Sequence, residues 1–341
     1  MKKYYPILDI LKFVFSIFIL LHHAEINLLI NQGTSSAIFA TSYLAVEGFL
    51  VISGYLIAAS VSSLLQQPNY SWRGVILHRC QRIYPAFIAC LVVYVLAELI
   101  TKVLLGFHHF EIRNIPATLL MLGDVFVMEQ IIGFWYMPVF FWGGFLYIYL
   151  LLNQPKLCGQ ILMPAIVLIG YSWIYHRYGA LPLHAQPYVG TFVVGGLLRG
   201  LAGLALGIVL FNLIKSFKHE LSKVGSKVNF VLLILLTGFT IRQFFYQSPS
   251  SKDFLVLFFC GALLIVAMQV TTTNLKLVAL AKYLGVMSYY IFLLHICVFN
   301  LMIDFGIIHH FSKTSIMPAA TLITILLSAF MMKVMSLKLS K

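Results

Sequence analysis

The sequence predicts an all-α, polytopic membrane protein with about ten transmembrane helices and both termini cytoplasmic. Three observations predict it. Of 341 residues, 61% are hydrophobic and only 10% are charged, whereas a soluble domain carries about 45–50% apolar and about 25% charged residues. The apolar residues gather into segments near the ~20 residues a bilayer requires. Their approximate cores are 8–29, 38–62, 84–105, 134–152, 159–175, 190–213, 228–246, 253–271, 285–306 and 315–336. The basic residues are also sided. With the N-terminus inside, 15 Lys and Arg fall on inner segments (Lys2, Lys3, Arg73, Arg79, Arg82, Lys156, Lys215, Lys218, Lys223, Lys227, Lys276, Lys282, Lys333, Lys338 and Lys341). Six fall outside (Lys102, Arg113, Arg177, Arg242, Lys252 and Lys313), and Lys12 and Arg199 lie within the membrane. The positive-inside rule thus accounts for the net charge of +13 without nucleic acid. Residues 1–341 read as a single integral-membrane domain, with no polar stretch long enough for a soluble one and no internal repeat. No cleavable signal peptide is expected, since the first apolar segment has no small-residue cleavage site and runs on as a full span. The five cysteines show no CxxC spacing and read as packing residues.

The first segment, from Asp9 to Glu25, is apolar except for Asp9, Lys12, Ser16, His22, His23 and the terminal Glu25. At ~100° per residue, the eleven steps from Lys12 to His23 return to within about 20° of one face, and Asp9 and Ser16 fall on or near it. His22 lies about 80–100° away. The rise from Lys12 to His23 is ~16 Å, half the hydrocarbon thickness. A cation at mid-bilayer costs roughly 2.5–3.5 kcal/mol on insertion scales, so something must offset Lys12. Two readings follow: one wall of a polar cavity, or a snorkelling lysine with interfacial histidines.

The second segment carries Glu47, which reads as an orienting carboxylate for a histidine base or as a structural partner of Lys12. The third is entered by Arg79-Cys80-Gln81-Arg82-Ile83-Tyr84-Pro85, where the proline suits a first helical turn and is expected to start the helix. The outer segment 106–133 holds His108, His109, Glu111, Arg113, Asp124 and Glu129, and 116–128 is apolar enough to re-enter the membrane in part. Adjacent histidines there and at His309/His310 point apart and make poor chelates. The sixth segment has Gly196-x-x-x-Gly200 and Gly203-x-x-x-Gly207, which allow close helix packing. Arg199 among them reads as a structural cation paired with a buried carboxylate, or as a functional residue.

Four stretches stand out in order: Lys12 with ten residues before His23; Val46-Glu47-Gly48-Phe49-Leu50-Val51-Ile52-Ser53-Gly54-Tyr55-Leu56-Ile57; Arg79 to Pro85; and Ser288-Tyr289-Tyr290-Ile291-Phe292-Leu293-Leu294-His295. Taken together they resemble the membrane-bound acyltransferase family 3. The resemblance implies a ten-helix enzyme that moves acyl groups, commonly acetyl, from cytoplasmic CoA onto extracytoplasmic sugars. Two departures stand out. Lys12 replaces an arginine, keeping the charge but losing the bidentate fork. In Trp135-Tyr136-Met137-Pro138-Val139-Phe140, Phe140 falls where a glutamate is expected; either that acid is dispensed with, or Asp124 or Glu129 replaces it.

Transfer from a thioester to a hydroxyl needs a base near neutrality, and His23 is the candidate, with Lys12 and Glu47 beside it as catalytic residues. Arg79, Arg82 and Tyr84 are the candidate donor site, the arginines suiting CoA phosphates, or else topological anchors. Trp135, Ser288 and His295 are the candidate substrate site, and His295 also reads as a packed hydrogen-bonder. The expected function is an O-acetyltransferase of the bacterial inner membrane, with acetyl-CoA as donor, no metal, and a surface polysaccharide or glycolipid as acceptor. The rivals are a transporter or flippase that uses the same buried polar groups as a pathway, and a non-catalytic scaffold.

Overall fold

In a bilayer every backbone N–H and C=O must be satisfied within its own segment, so apolar spans fold as helices. The computed structural model describes residues 4–29, 38–67, 70–106, 114–122, 136–181, 187–189, 193–246 and 248–339. Its helices are α1 (Pro6–Ala24, prolonged by a π turn Glu25–Leu29), α2 (Ala45–Leu64, led in by a 3-10 turn Ser42–Leu44) and α3 (Trp72–Leu105). A short α4 (Ile115–Leu119) is followed by α5 (Tyr136–Asn153) and α6 (Pro155–Tyr178). A small antiparallel pair, β1 (Pro187–Val189) with β2 (Val193–Val194), precedes α7 (Gly195–Ser216). Then come α8 (Lys218–Ser222), α9 (Ser226–Arg242), α10 (Leu255–Ala267), α11 (Leu275–Asp304) and α12 (Ile316–Leu339). Among the described residues, nine helices are long and apolar enough to cross a membrane, which makes this an all-α polytopic membrane protein. The eighth expected span, 253–271, is shorter than read: a four-residue 3-10 turn, Ser251–Phe254, runs into the 13 residues of α10. A capping box between Ser250 and Asp253 fixes where that turn begins.

Two close helix pairs organise the bundle. α1 packs along α11, and α2 packs along α7, with α1–α2 contacts joining them and α6 covering α7. The α2–α7 pair meets backbone to backbone: a Cβ on Gly54 would collide with the Leu204 carbonyl, and one on Gly207 with that of Val51. This is the close approach expected of the glycine-rich sixth segment. In the α1–α11 pair a Cβ on Gly285 would lie 2.5 Å from Asp9 Cγ, so glycine lets the polar face of α1 lie against α11.

The start of the third helix is a correction. Pro85 lies inside α3, which begins thirteen residues earlier at Trp72. The side chain of Ser71 caps it, accepting the Gly74 N–H at 3.1 Å, and Gly106, with φ +80°, ends it. Proline costs the Gln81 carbonyl its helical partner, but the charged residues 72–84 carry no hydropathy signal to reveal the extension. At 1.5 Å per residue α3 is about 50 Å long, well beyond the ~30 Å hydrocarbon core. The segment after it returns along its length. The carbonyls of Leu119 and Leu120 accept from the Tyr84 hydroxyl at 3.0 Å and the Trp142 indole at 2.9 Å. Tyr84 stands about 30 Å back from the Gly106 end of α3, so 115–122 re-enters the bundle, in the stretch whose apolar character suggested it.

Candidate active site

The stripe on α1 is built against α11. Near its N-terminal end Lys12 Nζ pairs with Asp9 Oδ1 at 2.5 Å, and Tyr4 donates to Asp9 Oδ2 at 2.7 Å. Burial and then the Asp9 carboxylate push the Tyr4 phenol up, keeping it a donor. The Lys282 ammonium of α11 sits 5.1 Å over the Tyr4 ring. Asp9 therefore offsets the cost of Lys12 from one turn away on the same face. Ser16, 1% exposed, donates to the Phe13 carbonyl at 2.7 Å, and Ser288 donates to that of Gly285 at 2.8 Å.

At the other end of the stripe, ~16 Å from Lys12, three imidazoles meet. The His23 ring centroid lies 5.2 Å from that of His22 and 5.1 Å from that of His295 on α11. His22 is buried, with Nδ1 2.9 Å from the Phe39 carbonyl. Glu25 accepts the backbone N–H groups of Ile38 and Phe39, both at 2.8 Å, so the turn before α2 is clamped to the end of α1. His295 is 1% exposed and has Nδ1 3.1 Å from the Ile291 carbonyl. A carbonyl only accepts, so Nδ1 carries the proton and the neutral ring presents Nε2 as an acceptor. That Nε2 is buried and makes no hydrogen bond. The structure thus brings His23 and His295 together, 272 residues apart in the chain.

Glu47 is not part of this cluster. Its Oε1 is 2.5 Å from Arg199 Nε, and its Oε2 accepts from the Tyr171 hydroxyl at 2.6 Å. Arg199 is 1% exposed, lies 5.5 Å over the Tyr43 ring and donates to the Tyr43 carbonyl at 3.3 Å. Tyr43 in turn donates to Asp253 at 2.6 Å. The network ties α2 to α6, α7 and the turn before α10. This corrects Glu47 as an orienting residue for His23 and as the partner of Lys12: the first is 152 residues from the cation it holds, and the second is held by Asp9.

The donor-site candidates also sit otherwise than expected. Arg79 is turned inward from α3 onto α5: Nη2 donates to the Phe140 carbonyl, and the guanidinium lies 5.0 and 5.5 Å from the Phe140 and Phe145 rings. Gly144 leaves room for it, and Arg79 Nε is buried without a hydrogen-bond partner. Phe140, at the position expected to be glutamate, thus meets a guanidinium through its ring face. Arg82 is exposed. The Tyr84 hydroxyl is spent on Leu119, and its ring packs 5.3 Å from Phe141. Trp135, Asp124 and Glu129 lie outside the described residues.

Sequence reasoning missed a narrow polar cleft between α3 and α11, too tight for a water molecule, lined by Tyr94, Glu98, Thr101, Asn300 and Asp304 among others. Its only signal was a lone glutamate in an apolar run. Among the described residues, no three His, Cys, Asp or Glu side chains gather as a metal site. The arrangement offers a proton acceptor, His23, beside a second bare acceptor in an apolar setting, and a paired cation on the same helix face. A family model described as an acyltransferase domain matches residues 5–333, essentially the whole chain. No curated protein and no solved structure matches it significantly.

Proposed function

The chain belongs to the membrane-bound acyltransferase family 3, and on that premise we propose that it is an O-acetyltransferase. It moves acetyl from cytoplasmic acetyl-CoA to a hydroxyl of a cell-surface polysaccharide or its lipid-linked precursor, in the inner membrane of a bacterium. The observation that carries this reading is the His23–His295 pair at one end of a stripe whose other end is Lys12–Asp9. His23 takes the proton of the acceptor hydroxyl, the oxygen attacks the acyl carbonyl, and the C–S bond breaks. The CoA thiolate leaves and recovers that proton. Lys12 is too far along the helix to touch the reacting carbon, so it acts by neutralising or orienting the donor. Arg82, exposed, is the group for CoA phosphates, with the inward-turned Arg79 one turn away on α3 adding its charge. His295 lines the reacting end, and Ser288, two turns back along α11, lies nearer the Asp9–Lys12 end with its hydroxyl turned to the Gly285 carbonyl. Neither a metal nor nucleic acid takes part in this reading.

Labelled acetyl-CoA supplied to inverted membrane vesicles tests it. Incorporation of label into glycan is the expected result. Glycan movement without acetylation would overturn the enzyme in favour of a flippase.

A further inference from the structure

A histidine base works best when its second nitrogen is held, because that fixes the ring and stabilises the imidazolium. Glu47, the carboxylate expected to do this, is engaged by Arg199 and Tyr171. His22 also directs Nδ1 at a carbonyl, that of Phe39, but it precedes His23 on the same helix, about 100° round it. The ring that faces His23 from the neighbouring helix is His295, and three facts about it converge. It is 1% exposed. Its Nδ1–H is committed to the Ile291 carbonyl of its own helix, which fixes the tautomer. Its Nε2 lone pair is buried with no hydrogen-bond partner, an arrangement that is costly in an apolar setting unless something uses it.

The spacing suits a direct bond. A ring-to-ring N–H···N hydrogen bond of about 2.9 Å, plus the two ring radii, sets imidazole centroids roughly 5 Å apart. The His23 and His295 centroids are 5.1 Å apart with planes at 41°, which is the spacing of such a bond. Asn27 donates to the His23 carbonyl at 2.7 Å, holding the backbone in place. Phe292 and Phe299, with centroids 6.1 and 5.8 Å from that of His295, fix the position of the acceptor.

We propose that His295 is the positioning residue for His23: its Nε2 accepts the N–H of one His23 nitrogen and so turns the other toward the acceptor hydroxyl. The proposal rests on the acyl-transfer reading for its consequence in catalysis, but the hydrogen bond itself does not. In the reaction His23 gains and then loses the proton; His295 gains none and touches neither the acyl group nor the hydroxyl.

The test uses the full chain in membranes, with acetyl-CoA as the probe and the cell's own surface glycan as acceptor. His295→Leu keeps the volume without the acceptor. His295→Gln puts an amide oxygen where Nε2 stood. His295→Leu is expected to lower kcat by about 10- to 100-fold, as removal of the partner that orients a functional histidine does. KM for acetyl-CoA should stay within about twofold, and His295→Gln should recover most of the rate. Unchanged kcat in His295→Leu, or loss that Gln does not rescue, overturns the proposal. A second arm needs no turnover. In protein labelled with 15N at histidine and held in lipid bilayers, the His23 signals are those absent from His23→Gln. They should shift in His295→Leu and return in His295→Gln; if they do not move, the hydrogen bond is refuted whatever group is transferred. If they move while the wild-type protein transfers no acetyl, the acetyl-transfer reading fails and the positioning stands.

Discussion

Glu47→Ala separates the structural account of that residue from a catalytic one. The substitution leaves the Arg199 guanidinium, 1% exposed, without the Glu47 carboxylate 2.5 Å away, and the Tyr171 hydroxyl without its acceptor. Removing one partner of a buried ion pair costs about 3–5 kcal/mol. At about 2 °C per kcal/mol, the lower end for larger chains, that is a fall of roughly 6–10 °C in Tm. Thermal denaturation of the purified protein in lipid nanodiscs reads it. Glu47→Leu combined with Arg199→Met removes both charges together, and an apolar replacement of a whole buried pair is often neutral. The double variant should therefore recover most of the lost stability, with a coupling in the double-mutant cycle of at least ~1 kcal/mol. A Glu47→Ala protein that melts like the wild type yet loses acyl transfer would refute this reasoning and return Glu47 to the chemistry.

Arg79→Gln and Arg82→Gln together should raise the KM for acetyl-CoA in vesicle assays. Only Arg79→Gln should also lower Tm, because Arg79 packs on Phe140, Phe145 and Gly144 while Arg82 is exposed. Gly207→Ala should destabilise by about 1–3 kcal/mol, the cost of overpacking, since its Cβ would meet α2 backbone at Val51, Gly54 and Tyr55 that cannot move aside. A cysteine cross-link between α2 and α7 that forms less readily in that variant would locate the damage.

The parts of this protein legible in the sequence are those set by local periodicity. Hydropathy gave the spans, and the 100° arithmetic put Lys12, Ser16 and His23 on one face, which the structure turns toward α11. The glycine spacing around Arg199 told of close packing without naming α2 as the neighbour. Pro85 misled because proline is commonest at a first turn, and the charged run before it hides a helix that continues out of the hydrocarbon. The capping box at Ser250 and Asp253 was readable as a helix start and would have moved the start of the eighth span to Ser251. What stayed hidden is contact across the chain. Nothing local to Glu47 tells that Arg199, Tyr171 and not His23 will reach it, and nothing local to His295 tells that its free nitrogen will lie beside His23.

The most direct test of the central claim is acetyl incorporation into surface glycan by His23→Ala at matched protein level, with His22→Ala beside it. The loss expected for His23→Ala is at least ~10²-fold, the low end for general-base catalysis. His22→Ala, which gives up the bond to the Phe39 carbonyl and the ring contacts with His23 and Tyr43, should transfer acetyl far better. Wild-type acetylation by His23→Ala would contradict the account and leave α1 as an anchor with buried histidines.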